Sequence, residues 1–137
     1  MPLPFKVHAA VVCDDVRQEQ NNKHILIGVY NGSIIVAGFP AEVALAWWIQ
    51  VFPTRTGKFD IEIMLESENA VIMRAGIGFQ IYAVDWSVIT LPRVPLQFQG
   101  NANLQLRLKL KDEKEWTDIV TIAVKQGAPS GVPPAQH

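Results

Sequence analysis

Hydrophobic and polar residues alternate with a period of two over two stretches of the chain. Between residues 59 and 66 the odd positions are apolar and most even positions are acidic. Between residues 104 and 111 every even position is leucine and every odd position is polar or basic. Because successive side chains of a strand point to opposite faces, this pattern predicts β-strands with one buried and one solvated face. A helix would spread the same leucines around its circumference.

Seven further stretches are predicted to be strands because they are short, apolar and bounded by turn-forming residues. The Asn31-Gly32 dipeptide predicts a tight hairpin, and residues 14–20 are interpreted as a loop or a single helical turn. No stretch is long enough for the helical crossovers that parallel strands require. We therefore expect an all-β, antiparallel two-sheet sandwich, immunoglobulin-like or related, with about eight or nine strands. The nine predicted strands cover residues 5–13, 24–30, 33–37, 42–52, 59–66, 70–82, 87–91, 104–111 and 117–125.

The two alternating strands carry opposite charges on their outer faces. If the strands are neighbours in one sheet, these charges can pair across it; otherwise each set is solvated separately. Pattern alone does not order strands, so both arrangements stay open. The acidic set is Asp60, Glu62 and Glu66, and the basic set is Arg107, Lys109 and Lys111.

Composition restricts the class of protein. The chain has 137 residues, of which 49% are hydrophobic and 18% charged, with a net charge of −1. It is too hydrophobic for a disordered chain, and a net charge near zero creates no field that attracts nucleic acid or an anionic membrane. Neither a membrane-spanning run nor a secretory signal is visible, so we expect a cytoplasmic protein. We expect one sandwich domain at residues 1–126 and a flexible Gly/Pro-rich tail at residues 127–137.

Residues that carry chemistry are few and scattered. The three histidines and the single cysteine, Cys13, do not have the spacing of a zinc site. Asp14 and Asp15 raise the pKa of the neighbouring thiol, which argues against a nucleophilic role for Cys13. Together with Glu19 they supply too few oxygens for calcium. We therefore expect no enzymatic activity, no bound metal and no cofactor.

Residues 43–52 are apolar on both faces, with Trp48 and Phe52 on the face opposite Trp47. A two-sheet sandwich buries only one face of each strand, so something else must cover the second. We expect a homo-oligomer or an unknown protein partner, with Trp48 and Phe52 as candidate anchors. A loop that covers this face is one alternative. A small-ligand or carbohydrate-binding module with an exposed Trp48 platform is the other.

Two segments resemble the opening of a small bacterial family of uncharacterised single-domain proteins. The first has the pattern Cys-Asp-x-x-Arg-x-Glu, and the second, at residues 23–30, contains Ile-Gly-Val-Tyr. Asn22 stands where the family has glycine. The resemblance implies a short single-domain bacterial protein without a known activity. For the motif cluster we expect a structural role, locking the loop between the first two strands. The cluster consists of Cys13, Asp14, Arg17 and Glu19.

Overall fold

Nine strands in two sheets form the part of the chain that the computed structural model describes, residues 3–127. One sheet has the order β2-β1-β4-β7 and the other the order β3-β9-β8-β5-β6. The all-β sandwich is confirmed, whereas the predicted tail lies outside the described residues except for Gly127. The strands are β1 (Phe5–Gln18), β2 (His24–Val29), β3 (Ser33–Val36), β4 (Ala41–Pro53), β5 (Gly57–Ser67), β6 (Ala70–Ile81), β7 (Ser87–Phe98), β8 (Ala102–Leu110) and β9 (Thr117–Gln126).

The five-stranded sheet is mixed, so the prediction of a wholly antiparallel sandwich is wrong at one edge. Here β3 runs parallel to β9, with Ser33 opposite Ala123 and Val36 opposite Gln126. Parallel strands need a long connection between them. The chain from β4 to β8 provides that connection, and this is why the parallel pair forms without a helical crossover. The grouping of β1, β4 and β7 against β5, β8 and β9 follows the immunoglobulin arrangement.

The segment at Asn31-Gly32 crosses from one sheet to the other, so the prediction of a tight hairpin is wrong. Its flanking strands lie in different sheets, β2 in the four-stranded sheet and β3 in the five-stranded sheet. Gly32 does adopt a positive φ of 93°. A turn dipeptide reports only local preference, whereas the choice of sheet follows the burial of Ile34, which is 1% exposed in the core.

Alternate residues of the strands fill the space between the sheets. Trp47 is the largest fully buried side chain, at 1% exposure. The predicted alternation of β5 and β8 is confirmed, because their apolar positions face this core. From these two strands the core contains Ile61, Ile63, Leu65, Leu104, Leu106 and Leu108, and from β4 it contains Val43, Leu45, Trp47, Ile49 and Val51.

The first two strands extend past the sheet as a hairpin that we call the arm, residues 14–29. β1 pairs with β4 only as far as Cys13, which lies opposite Ala46, and then continues with β2 alone as far as Gln18. Residues 14–18 are therefore strand and not the loop or helical turn expected from the sequence. A depression of about 300 Å³ is lined by Asp15 and Gln18 of the arm and by Arg93 of β7, so the arm lies beside β7.

Candidate functional site

The outer surface of the four-stranded sheet is rich in apolar side chains, and we call it the apolar face. Because Trp47 and Ile49 point into the core, the alternation of β4 directs Trp48 outward. On the edge strand β2, three large aliphatic side chains remain 43%, 39% and 54% exposed. Exposed apolar side chains in a row of this kind are typical of interaction sites in proteins. The apolar face consists of Ile25, Ile27, Val29, Trp48, Phe52 and Trp86.

Three rings form an aromatic cluster at one end of the apolar face. Trp86, in the loop before β7, lies edge-on to Phe52 and to His8, with ring centroids 5.0 and 4.9 Å apart. Edge-to-face contacts at such distances are favourable, so they hold the indole in place. Trp86 nevertheless remains 54% exposed, and Tyr82 in the same loop is 87% exposed. The apolar surface therefore continues into the β6–β7 loop.

Trp48 and Phe52 differ from Trp86 in exposure. Trp48 is partly buried, and its register neighbours are Val11 on β1 and Thr90 on β7. Its indole nitrogen is covered and has no acceptor among residues 3–127. Phe52 is also partly buried. Trp86, and not Trp48, is therefore the exposed tryptophan of the apolar face.

Asp14 lies at the base of the arm, where the two motif segments meet. The Tyr30 hydroxyl donates a hydrogen bond of 2.7 Å to Asp14 Oδ1. Gly28 has a φ of 66°, and a Cβ there would collide with the Asp14 carboxylate. Burial raises the pKa of Tyr30 to about 12, and the hydrogen bond to Asp14 adds to this shift. Asp14, Gly28 and Tyr30 thus lock the arm where it leaves the sheet.

Cys13 is fully buried beside this lock. Its thiol donates to the carbonyl oxygens of Asp15 and Ala46, with Sγ···O distances of 3.4 and 3.7 Å. Burial raises the pKa of the thiol, and the charges of the two neighbouring aspartates act in the same direction. The thiolate, which is the reactive form of cysteine, is therefore disfavoured at this position.

Arg17 and Glu19 are exposed and lie farther along the arm. The Nε atom of Arg17 is 3.5 Å from the Asp15 carboxylate, a contact on the protein surface. The backbone N–H of Glu19 donates to the carbonyl of Lys23 and closes the turn. Asn22 in this turn has a φ of 61°, a conformation that asparagine tolerates better than most residues. This explains how Asn22 replaces the glycine that the resemblance predicts.

The outer surface of the five-stranded sheet is charged, and we call it the charged face. Glu62 on β5 lies 2.9 Å from Arg74 Nη2 on β6 and 3.2 Å from Lys109 Nζ on β8. A hydrogen bond from Arg74 and a weaker contribution from a hydrogen bond donated by Lys109 hold the pKa of Glu62 below its usual range. Arg107 lies 3.2 Å from Glu66 on the adjacent strand. The two oppositely charged strands are therefore neighbours, and their charges pair across the sheet.

The β8–β9 loop folds back over this charged face. Lys109 is only 9% exposed, and its ammonium group donates to the carbonyls of Lys111 and Glu113 at 3.1 and 2.8 Å. The ring of Trp116 lies 5.2 Å from Lys109 Nζ and 5.3 Å from the guanidinium carbon of Arg74. Such cation–π contacts stabilise both charges. The loop and the network together provide partners within the chain for Glu62, Arg74 and Lys109.

Neither a metal centre nor a membrane span is found in the part of the chain that the structure describes. No group of three or more His, Cys, Asp or Glu residues within 3–127 is arranged to hold a metal ion. Over the same residues there is no helix of the length and apolarity needed to cross a membrane.

These features define a small β-sandwich domain with one apolar and one charged outer face. The chain belongs to DUF6941, a family of unknown function whose model matches residues 8–117. The expected membership of an uncharacterised family is confirmed. No curated protein matches the sequence.

Trp86 and Trp116 are aromatic residues of these faces that sequence reasoning missed. Both lie outside the strands that the alternation predicts, in stretches that are otherwise read as loops. The only available signal was a large aromatic side chain in a polar segment. Such a residue has no periodic neighbours from which its direction can be inferred.

Proposed function

We propose that the chain is a non-enzymatic interaction domain that associates with a second copy of itself through the apolar face. The row of Ile25, Ile27 and Val29 on β2 carries this proposal, because each side chain is more than a third exposed. Removing apolar surface from water is worth about 25 cal/mol per Å². A row of large aliphatic side chains on one strand therefore favours burial against another apolar surface.

The charges beside this row favour a second copy of the chain over a partner whose surface carries charge of only one sign. Asp15 and Arg17 on β1 lie opposite Ile27 and Ile25 on β2, so the face carries one acidic and one basic group close together. A two-fold contact whose axis passes between these two positions would place Arg17 of each copy beside Asp15 of the other. Charge complementarity of this kind sets the register of an interface.

The state of Cys13 supports a non-enzymatic role. It is the single cysteine of the chain, its side chain is inaccessible, and burial raises its pKa. Nucleophilic catalysis needs an accessible thiolate. The hydrogen bonds of the thiol to backbone carbonyls support a packing role instead.

Light scattering on the native chain and on Ile27→Lys tests self-association. We expect a native mass above that of one chain and a lower mass for Ile27→Lys, with an unchanged circular dichroism spectrum. Ile35→Lys is the matched control, because Ile35 is 54% exposed on β3 of the other sheet. A native mass equal to one chain at high concentration, or an equal effect of both variants, would contradict the proposal.

Ile27 is a better position for this test than Trp48. Trp48 is partly buried and its nitrogen is covered. A charge placed there would be desolvated and would destabilise the fold itself. Ile27 lies on an edge strand, where a lysine side chain reaches water in the single chain.

A second candidate function, a small-ligand or carbohydrate-binding module, is favoured by the exposure of Trp86. His8, which contacts Trp86, also lines a cleft of about 610 Å³ together with Val7 and Ile119. A glycan and metabolite screen followed by tryptophan fluorescence tests this alternative. We would expect binding that Trp86→Ala removes and Trp116→Ala retains. Loss of ligand binding in both variants, or in neither, would show that Trp86 does not form the binding surface.

A further inference from the structure

Strand β6 leaves one edge of the five-stranded sheet open. It is the last strand in the order β3-β9-β8-β5-β6, and within residues 3–127 it pairs with β5 alone. Its twelve residues contain no proline, and Arg74 is their only charged residue. The edge strand β7 of the other sheet differs, because it contains Pro92 and Pro95. Proline and charge protect edge strands from pairing, so β6 is a template for a further strand.

At the centre of β6 the backbone groups at the free edge belong to two glycines. The carbonyl of Asp60 accepts a hydrogen bond from the chain that follows β8, with an N···O distance of 3.0 Å, so Asp60 directs its backbone toward β8. Successive residues of an antiparallel strand direct their backbone groups to alternate sides. Ile61 therefore faces β6, where it lies opposite Ile77. This leaves the N–H and C=O groups of Gly76 and Gly78 at the free edge.

We propose that β6 pairs antiparallel with β6 of a second copy, about a two-fold axis at Gly76. In this register Arg74 of each copy lies opposite Gly78 of the other. A Cβ added at Gly78 would meet no atom within 4 Å, so the outer surface is open there. Asp60, an exposed residue, lies directly opposite Gly78 on β5. Arg74 keeps Glu62 of its own chain as its partner, but its side chain is still 55% exposed. In this register it lies across the open surface from Asp60 of the other copy, which makes the edge complementary in charge to itself.

The inner side of the same register matches small residues to large ones. Ala75 lies opposite Ile77 of the second copy, and Met73 lies opposite Phe79. Met73, Ile77 and Phe79 are partly buried and pack against the core. Cross-strand pairs of apolar residues stabilise adjacent strands. The pairing therefore joins the two cores across a continuous sheet.

This contact is independent of the proposed function, because it uses the sheet opposite the apolar face. Two different two-fold contacts on one chain build assemblies larger than a dimer. We therefore expect each contact to be removable without the other. An edge contact and a face contact are then distinguished by which substitution lowers the mass.

Cross-linking of Gly76→Cys tests the two-fold register directly. Residues that exchange both hydrogen bonds across an antiparallel pair have Cα atoms about 5.5 Å apart, which suits a disulfide. We expect Gly76→Cys to form a disulfide-linked dimer under mild oxidation, because the native Cys13 is buried. Gly100→Cys, in an open turn, is the control for random collision. Cross-linking no greater than that of the control would overturn the proposal.

Gly78→Pro removes the edge N–H without removing a β5–β6 hydrogen bond. We expect it to lower the mass of the native assembly and to abolish cross-linking of Gly76→Cys, whereas Gly78→Ala does neither. Circular dichroism checks that the proline variant is folded. If Ile27→Lys lowers the mass but Gly76→Cys does not cross-link, the edge contact is wrong and the face contact stands. If β6 instead receives a strand from another protein, the purified Gly76→Cys chain does not cross-link, and the proposal fails.

Discussion

The two outer faces of the sandwich meet water in different ways. On the charged face, Glu62 has Arg74 and Lys109 within 3.2 Å, and the Trp116 ring contacts both cations. On the apolar face, Ile27 and Trp86 are 39% and 54% exposed. Charges that are already paired within one chain gain little from a partner. Exposed aliphatic and aromatic groups gain from any contact that removes them from water.

The charged face is therefore a poorer surface for association than its charge content alone suggests. Within residues 3–127 the charged face holds most of the ion pairs, yet backbone carbonyls of its β8–β9 loop already accept hydrogen bonds from Lys109. A ligand would have to displace these internal partners. The apolar face has no such competition at Ile27, where the side chain is partly hydrated. Substitutions on each face test this contrast.

Lys109→Met is expected to have the largest effect on stability. It keeps the buried stem but removes the donor to the carbonyls of Lys111 and Glu113. Loss of hydrogen bonds from a charged group costs about 2 kcal/mol, and we expect the free energy of unfolding to fall by that amount. Urea denaturation measures it.

Lys111→Met is the matched control, because Lys111 is exposed at the end of β8. We expect its effect to stay within about 0.5 kcal/mol. Equal losses in the two variants would show that the charged face is not held together by Lys109, and the contrast between the faces would weaken.

The sequence predicted the charged face better than the apolar one, and the reason is periodicity. Strict alternation in β5 and β8 assigned Glu62 and Lys109 to the outer surface before any strand order was known. Their direct pairing depends on register, Glu62 opposite Lys109, which no local pattern specifies. The parallel pairing of β3 with β9 was unpredictable for the same reason, since strand partners depend on burial across the whole chain.

On the apolar face, alternation correctly directed Trp48 away from the core but did not predict its exposure. The arm turns toward β7 and the indole nitrogen of Trp48 is covered, which depends on tertiary packing. For the motif residues, too, the sequence did not predict the tertiary contacts. Asp14 was expected to lock the first loop with Arg17, whereas its structural partners, Gly28 and Tyr30, come from the second segment.

Tyr30→Phe is expected to have the second largest effect, because it loosens the arm beside the apolar face. The lost hydrogen bond has a charged acceptor, Asp14. We expect the free energy of unfolding to fall by about 1.5 kcal/mol at neutral pH. Tyr82→Phe, at a position that is 87% exposed, should have no measurable effect. A similar loss in both variants would show that the hydrogen bond from Tyr30 to Asp14 does not stabilise the arm.

The pH dependence of Tyr30→Phe follows from the raised pKa. The pKa of Tyr30 is about 12 in the folded chain against an ordinary value of 10.0. The folded state holds this proton more tightly, so the contribution is complete below pH 10 and is lost as the pH rises toward 12. Native stability should therefore fall more steeply than that of Tyr30→Phe over this interval. Parallel curves of stability against pH for the native chain and Tyr30→Phe would show that the pKa of Tyr30 is not raised in the folded state.

Acidification in the range where Glu62 titrates is expected to have the smallest effect, and it tests the charged face. Hydrogen bonds from Arg74 and Lys109 lower the pKa of Glu62 in the folded state. The contribution of Glu62 is therefore present above the ordinary glutamate pKa of about 4.3 and is lost as the pH falls through the lower folded value. Native stability should fall more steeply on acidification than that of Glu62→Gln, and added salt should reduce the difference because the pair is accessible to solvent.

Glu19→Gln is the control for this last measurement, because it removes the same charge from an exposed turn of the arm. We expect its acid limb to follow that of the native chain. If Glu62→Gln also follows the native curve, the carboxylate is not stabilised by its neighbours. The charged face would then be as open to a charged partner as the apolar face is to an apolar one.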